Sequence, residues 1–257
     1  MLNSSIQTSE FTTICLVIPS YNEYSSLPDY LLKLTPFLEK KHAIIVVDDS
    51  EPPINDTLPT GTLQLLQKSY ASITFVNNNE KLGRGNATRQ GMKLAKSHFP
   101  KLSYIVECDS DGSHKVEDVL KIMNSNHDFD LLIGSRYLPT STIINWPISR
   151  KIFSKLLNRI IPKLFKLNVT DITNGLRSYS FRAIELILDH NQVNNGFIYL
   201  TETAIVIKNH EYSIGEIPTS FVNRVLGQSS VTIKELINSL TAVVQLRFNL
   251  RNKSCKH

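Results

Sequence analysis

The sequence predicts an α/β fold: a mostly parallel sheet with helices on both faces and amphipathic helices toward the C-terminus. Short apolar runs rich in β-branched residues recur through the first half of the 257-residue chain. Longer amphipathic stretches separate them, and charged residues gather where the apolar runs end. Strands apolar on both faces and alternating with helices belong to a parallel sheet that is covered on both sides.

The elements follow in order. Ile14–Ile18 reads as a buried strand and Leu27–Glu39 as a helix with Pro28 near its start. Ala43–Val47 is the second strand, Leu63–Tyr70 a helix, Ile73–Val76 the third strand and Ala87–Ser97 a helix. Tyr104–Cys108 is the fourth strand, followed by the helix Val116–Asn124 and the strand Leu131–Gly134. Pro147–Leu167 then sets Ile148, Ile152, Phe153, Leu156, Leu157 and Ile160 at helical spacing with basic residues between them. Pro162, which has no N–H to donate, is expected to kink or end that helix. Leu176–Ser180 and Ile214–Pro218 read as strands, with Phe181–Leu188, Leu200–Lys208 and Ile233–Phe248 as helices.

Composition sets bounds on function. The chain is 41% hydrophobic and 20% charged with a formal charge of +5, which suits a globular domain with an anionic partner. From Leu138 to Thr170 there is no acidic residue, while Arg150, Lys151, Lys155, Arg159, Lys163 and Lys166 all fall there. That run reads equally as a solvated face of a core-packed helix or as a basic amphipathic helix for an anionic membrane interface. Cys15, Cys108 and Cys255 are scattered without metal-ligand spacing, which argues against a disulfide framework and a zinc site. The start MLNSSIQTSE lacks the features of a signal peptide, and no run approaches the length of a spanning helix. A cytoplasmic protein, at most resting on the cytoplasmic face of a membrane, is expected. Nucleic acid is not an expected partner, because the basic residues come without a recognition motif.

In an open parallel sheet, ligands bind beyond the carboxyl ends of the strands. Pro19-Ser20-Tyr21-Asn22-Glu23 follows the first strand, Asp48-Asp49 the second, Asp109-Ser110-Asp111 the fourth and Ser135-Arg136-Tyr137 the fifth. Two carboxylates one residue apart at a strand end offer the hard oxygen ligands that Mg²⁺ or Mn²⁺ takes, or else form a turn and cap at Gly112-Ser113. Asp48 suits a base or ribose, or an Asx-turn. Lys81-Leu82-Gly83-Arg84-Gly85-Asn86 is a glycine-rich loop opening a helix, so its amides and Arg84 are candidates to meet an anion. It matches neither the dinucleotide fingerprint nor the P-loop.

The ordered set IPSYNE, VVDD, N-x-x-x-G-x-G, DSDGSH, GSRY, TNGLRSYS and EIPTSFVNRVLGQS resembles family-2 glycosyltransferases of the Rossmann-like GT-A fold, over roughly residues 13–250. The branch most similar is the dolichyl- or polyprenyl-phosphate mannosyltransferases. The resemblance implies one domain over 13–250, with a nucleotide-sugar half (13–137) and an acceptor half (138–250), between tails 1–12 and 251–257. It implies an inverting transfer of a hexose, mannose from GDP-mannose first, onto dolichyl or polyprenyl phosphate with Mg²⁺ or Mn²⁺. It places Pro19, Tyr21, Glu23 and Asp48 at the nucleoside, Asp109 against the nucleotide, Asp111 on the metal and Ser113 at a position some members use as a metal ligand. Arg136 and Arg150 match arginines of the acceptor phosphate, Arg224 one near the donor diphosphate, and Glu202 an acidic position that serves as base where the acceptor is a hydroxyl. The family's GESK segment appears here as Gly227-Gln228-Ser229-Ser230, leaving Lys234 as the substitute cation. Other readings stay open: a UDP-glucose or UDP-N-acetylhexosamine donor, a saccharide acceptor, a non-catalytic sugar-nucleotide-binding subunit. A small membrane-protein partner would fit the absence of a spanning helix.

Overall fold

A computed structural model describes residues 12–50, 66, 72–125, 128–192, 194–196 and 198–223. In chain order they form β1 (Ile14–Ser20), α1 (Leu27–Leu34), a 3-10 turn (Thr35–Phe37), β2 (His42–Asp48), β3 (Ile73–Asn77), α2 (Arg84–His98), β4 (Tyr104–Glu107) and α3 (Val116–Met123). There follow β5 (Leu131–Ser135), β6 (Thr142–Ile144), α4 (Ile148–Phe165), β7 (Arg177–Ser180), α5 (Phe181–Asp189), α6 (Ile198–Asn209), β8 (Ile214–Pro218) and β9 (Ser220–Val222). The expected helix Leu63–Tyr70, apart from a helical and buried Leu66, lies outside the described residues, as do Arg224, Lys234 and the expected helix Ile233–Phe248.

A seven-stranded sheet has the order β3-β2-β1-β4-β7-β5-β8. From β3 to β4 the strands run parallel, as do β5 and β8. Only β7 is antiparallel to its neighbours in that sheet. The chain builds β1, β2 and β3 on one side, then crosses back to lay β4 on the other side of β1. That reversal opens a crevice at the carboxyl ends of β1 and β4, the place where such folds take ligands.

Alternation along β1 explains why helices cover both faces. Cys15 and Val17 join a core with Ala87, Met92 and Ala95 of α2, Ile184 of α5 and Ile205 of α6. Leu16 and Ile18 point the other way, into a core with Leu27 and Leu31 of α1 and Val119 and Ile122 of α3. The helix α2 sits so close over β1 that a Cβ on Gly91 would come 2.5 Å from Val17 Cγ1.

Three details depart from the pattern of the sequence. The helix α1 stops at Leu34, five residues short of expectation, because Pro36 supplies no N–H and the backbone tightens to a 3-10 turn before Leu38 turns extended. The helix α4 continues through Pro162 to Phe165 and ends on Lys166 in the left-handed region (φ 54), with the Leu167 amide returning to the Pro162 carbonyl at 2.8 Å. A parallel ribbon of β6 and β9, three residues each, lies outside the main sheet and was not expected. It fastens the crevice, since Val222 N donates to Ser113 O (3.1 Å) and Asn223 N to Ile144 O (3.0 Å). Among the described residues, no helix is long and apolar enough to cross a membrane.

Candidate active site

The β1 and β2 ends form one wall of the crevice. Pro19 is buried inside β1 beside Val47, and the chain emerges at Tyr21, which is 39% exposed with Lys81 Nζ 4.4 Å from its ring centroid. Asn22 N donates to Ser50 Oγ (2.9 Å), which in turn donates to Asp48 Oδ1 (2.7 Å), so the two strand ends are tied through Asp48. Burial raises the Asp48 carboxyl against the lowering effect of Ser50. Glu23 Oε2 accepts from Ser26 Oγ at 2.6 Å, which turns this carboxylate toward the start of α1. Asp49 accepts from Asn78 Nδ2 and from Gly83 N, both at 2.8 Å. Gly83 takes φ +90, a conformation that L side chains rarely adopt, and this brings its amide to Asp49.

Arg84 of the glycine-rich loop meets two of the chain's own carboxylates. Its guanidinium bridges the chain's own carboxylates, with Nη1 on Asp109 and Nη2 on Glu107 at 2.8 Å. The first helix amide beyond it, Gly85 N, is taken by Asn195 O at 2.9 Å. Glu107, fully buried, also accepts from Thr88 (3.2 Å) and from Tyr179 (2.9 Å). The arginine therefore positions Asp109. A Cβ on Gly175 would reach within 2.8 Å of Asp109 Oδ1, so glycine leaves room for this packed pair.

On the loop after β4, burial by itself would raise the Asp109 carboxyl, but Arg84, with help from His114 and Arg136, holds it down at about 2. His114 Nδ1 accepts the Asp109 amide (3.2 Å), so its Nε2 carries the proton that goes to Asn174 Oδ1 (3.0 Å). Asn174 Nδ2 donates to Gly134 O, and the DSDGSH loop is thereby joined to both TNGLRSYS and β5. Asp111 Oδ1 accepts the Ser113 amide at 3.0 Å. The Ser113 hydroxyl is buried without a hydrogen-bond partner among the described residues. Among the described residues no three His, Cys, Asp or Glu gather to cage a metal. The Asp111 carboxylate and the Ser113 hydroxyl are hard oxygen donors of the kind that a divalent cation such as Mg²⁺ takes.

Arg136 and Arg150 meet on one indole. The Arg136 guanidinium lies 5.1 Å and that of Arg150 4.3 Å from the Trp146 ring centroid. Arg136 is buried and held by Asp171, while Arg150 Nη1 donates to Asn223 Oδ1 at 3.2 Å. Phe221 packs edge-on to both Trp146 (5.2 Å) and His114 (5.6 Å), linking the arginines to the carboxylate loop. Asp111, His114 and Asn223 line a common cleft of about 660 Å³ with Tyr30 of α1.

Glu202, buried on α6, accepts from His190 Nε2 (3.0 Å) on one oxygen and from Asn194 N (3.0 Å) and Nδ2 (2.8 Å) on the other. It holds the loop that meets Gly85 through Asn195. Arg177 of the RSYS motif is fully buried and donates to the carbonyls of Asn174, Leu200 and Ile172. Sequence reasoning missed His114, Asn174, Asp171, Phe221 and Lys81 as members of the site. His114 and Asn174 sit inside motifs already singled out, which was the available signal.

A crevice at the sheet reversal, with a carboxylate loop on one side and a pair of arginines on the other, defines a glycosyltransferase of the GT-A fold. The chain matches Glycosyl transferase family 2 over residues 15–188 and belongs to that family. It is 30% identical over 236 residues to polyprenol monophosphomannose synthase of Mycolicibacterium smegmatis, covering 90% of this chain and 85% of that one. It is 30% identical over 223 residues to undecaprenyl-phosphate mannosyltransferase of Micrococcus luteus (85% and 87%). Among solved structures, a mannosyltransferase from Pyrobaculum calidifontis in complex with GDP-Man and Mn²⁺ shares the fold, with a TM-score of 0.59 at 15% identity over 93% of this chain and 64% of that one.

Proposed function

We propose that this enzyme transfers mannose from GDP-mannose to a polyprenyl phosphate, with inversion at the anomeric carbon and with Mg²⁺ or Mn²⁺ as cofactor. The observation that carries the reading is the pair of arginines, Arg136 and Arg150, on Trp146 and linked to the Asp109–Asp111 loop through Phe221 and His114. Two adjacent guanidinium groups suit a phosphate acceptor, because Arg150 presents a planar fork for paired hydrogen bonds and Arg136 adds a second positive charge. The two curated relatives, both mannosyl transferases to polyprenyl carriers, support the same donor sugar and acceptor.

A phosphate monoester is already ionised near neutral pH, so it attacks without a base. One of its oxygens forms a bond to the anomeric carbon while the bond to the diphosphate breaks, and GDP leaves with the electron pair. What the protein must supply is proximity and charge neutralisation. Arg150 offers its guanidinium to the acceptor phosphate, and Arg136, whose Nε and Nη2 are engaged by Asp171 and Thr173, adds its positive charge beside it. Tyr21 and Asp48 receive the nucleoside, and Arg84 fixes Asp109 beside it. Asp111 and Ser113 hold the cation, which neutralises the leaving diphosphate when bound. Glu202 is a positioning residue for loop 190–194. Arg224 and Lys234 rest on the resemblance alone. The enzyme works peripherally at the cytoplasmic face of a membrane, where such a lipid is found.

The test offers GDP-mannose with polyprenyl phosphate and, separately, with the dephosphorylated polyprenol. Product from the phosphate alone supports the reading, and equal product from the alcohol would sink it.

A further inference from the structure

Glu216 of β8 belongs to the EIPTSFVNRVLGQS segment, yet the chemistry described so far makes no use of it. It pairs in register with Ile133 of β5, the strand that ends at Ser135 just before Arg136. Its carboxylate reaches the loop that leads toward β7. Oε2 accepts from Thr170 N at 2.8 Å, and Oε1 accepts from Asp171 N at 2.9 Å and from Thr170 Oγ1 at 3.0 Å. Three donors on two oxygens call for an ionised carboxylate, which accepts at both oxygens and donates at neither.

These bonds approach Arg136 from two directions. Through the loop, Glu216 fixes the peptide of Asp171, whose carboxylate takes the Arg136 amide, Nε and Nη2. Through Thr170 it orders a chain of hydroxyls. The Thr170 hydroxyl gives its one proton to Glu216, so the Ser135 hydroxyl, 2.6 Å away, donates to Thr170. Ser135 Oγ in turn accepts from the Tyr137 amide at 3.2 Å. The carboxylate thereby sets the direction of the hydrogen bonds on the residues either side of Arg136. Asn158 of α4 closes the loop from its other side. Its Oδ1 accepts from Ile172 N (2.7 Å), and its Nδ2 donates to Thr173 Oγ1 (2.9 Å), the hydroxyl that Arg136 Nη2 also reaches.

We propose that Glu216 is a positioning residue for the transfer, holding loop 170–173 so that Arg136 keeps its place beside Trp146 on the acceptor side. The acceptor side rests on the proposed function, whereas the hold on Arg136 does not.

Trp146 is the single tryptophan of the chain and its ring lies 5.1 Å from the Arg136 guanidinium, so its fluorescence reads that placement in the full chain without substrate. Glu216→Gln keeps the side-chain length but turns an NH₂ toward the loop amides. It should shift the Trp146 emission in the direction that Arg136→Lys does. The double variant should shift no further than Arg136→Lys alone, the non-additivity expected of residues in one network. In the transfer assay, Glu216→Gln should raise the KM for polyprenyl phosphate about tenfold or more, with GDP-mannose binding near wild type. Glu216→Asp, which keeps the charge, should recover part of that loss. Thr170→Val removes only the hydroxyl leg at an exposed position and should give a smaller shift of the same sign.

A Glu216→Gln chain that melts earlier but keeps the wild-type emission and acceptor KM overturns the proposal, because Glu216 then only supports the fold. Additive shifts in the double variant overturn it as well. Where Glu216→Gln does not fold, Thr170→Val carries the test, and an unmoved emission there has the same consequence. Shifted emission in Glu216→Gln, with a wild-type chain that makes no lipid product, refutes the proposed function and leaves the hold on Arg136 standing. Lipid product whose acceptor KM and emission Glu216→Gln leaves unmoved does the reverse.

Discussion

Asp171 takes three hydrogen bonds from Arg136: the backbone amide at 3.0 Å and Nε at 2.7 Å on one oxygen, and Nη2 at 2.8 Å on the other. Both side chains are buried, and Nη2 also reaches Thr173 at 2.7 Å. Removing one partner of such a pair leaves an uncompensated buried charge, which typically costs about 3–5 kcal/mol. Asp171→Ala is therefore expected to lose that much in urea denaturation, and Asp171→Asn less, because it still offers an acceptor.

Arg150 stands over Trp146, its guanidinium 4.3 Å from the ring centroid, and donates to Asn223 Oδ1. Arg150→Ala should lower kcat/KM for the lipid phosphate on the order of 10²-fold or more while GDP-mannose binding, read by titration, stays near wild type. Arg150→Lys should recover little, since a point charge neither stacks on the indole nor forks onto a phosphate. Equal loss of donor binding in both variants would move Arg150 to the donor side.

Asp130 lies at the start of β5, away from the crevice. Burial would raise its carboxyl, but Arg182 and the Ser180 and Ser213 donors outweigh this and hold it well below the ordinary carboxylate range. A group depressed in the folded state contributes stability that is present above its unfolded value, about 3.9, and is lost as pH falls below it. Wild-type stability should drop as pH falls below about 4, and Asp130→Asn should remove part of that drop with kcat unchanged. Melting temperatures across the acid range decide this.

Glu202 distinguishes a positioning role from a base. Glu202→Gln still accepts from one donor but loses its charge, so it should raise the donor KM and lower the melting temperature modestly. The shape of the pH–rate profile should stay that of wild type. Disappearance of an acid limb from the profile would make Glu202 the base instead.

The strand ends were legible because apolar runs with β-branched residues stop at charged ones, as at Val47-Asp48 and Cys108-Asp109. The roles of single charges were less so. Arg84 sits in a glycine-rich loop that reads as an anion site, yet Glu107 and Asp109, more than twenty residues on, capture it. Asp171 gives no local signal, because its partner is thirty-five positions away. The β6–β9 ribbon is too short to show alternation, so the placement of Phe221 between the two halves of the site was not legible, although the residue lies in EIPTSFVNRVLGQS. The basic helix was ambiguous for another reason. Spacing shows where its apolar residues recur, but only packing decides which of them the core leaves exposed, and here Ile161 and Phe165 are taken while Ile148, Ile152, Leu156, Ile160 and Leu164 are not.

The central claim is tested most directly by transfer from radiolabelled GDP-mannose to a short polyprenyl phosphate, with Mn²⁺ and with EDTA, beside UDP-glucose as rival donor. Metal-dependent label in the lipid fraction from GDP-mannose alone, lost in Asp111→Ala, is the predicted result. No lipid product from either donor, in a preparation that still binds nucleotide, would contradict it.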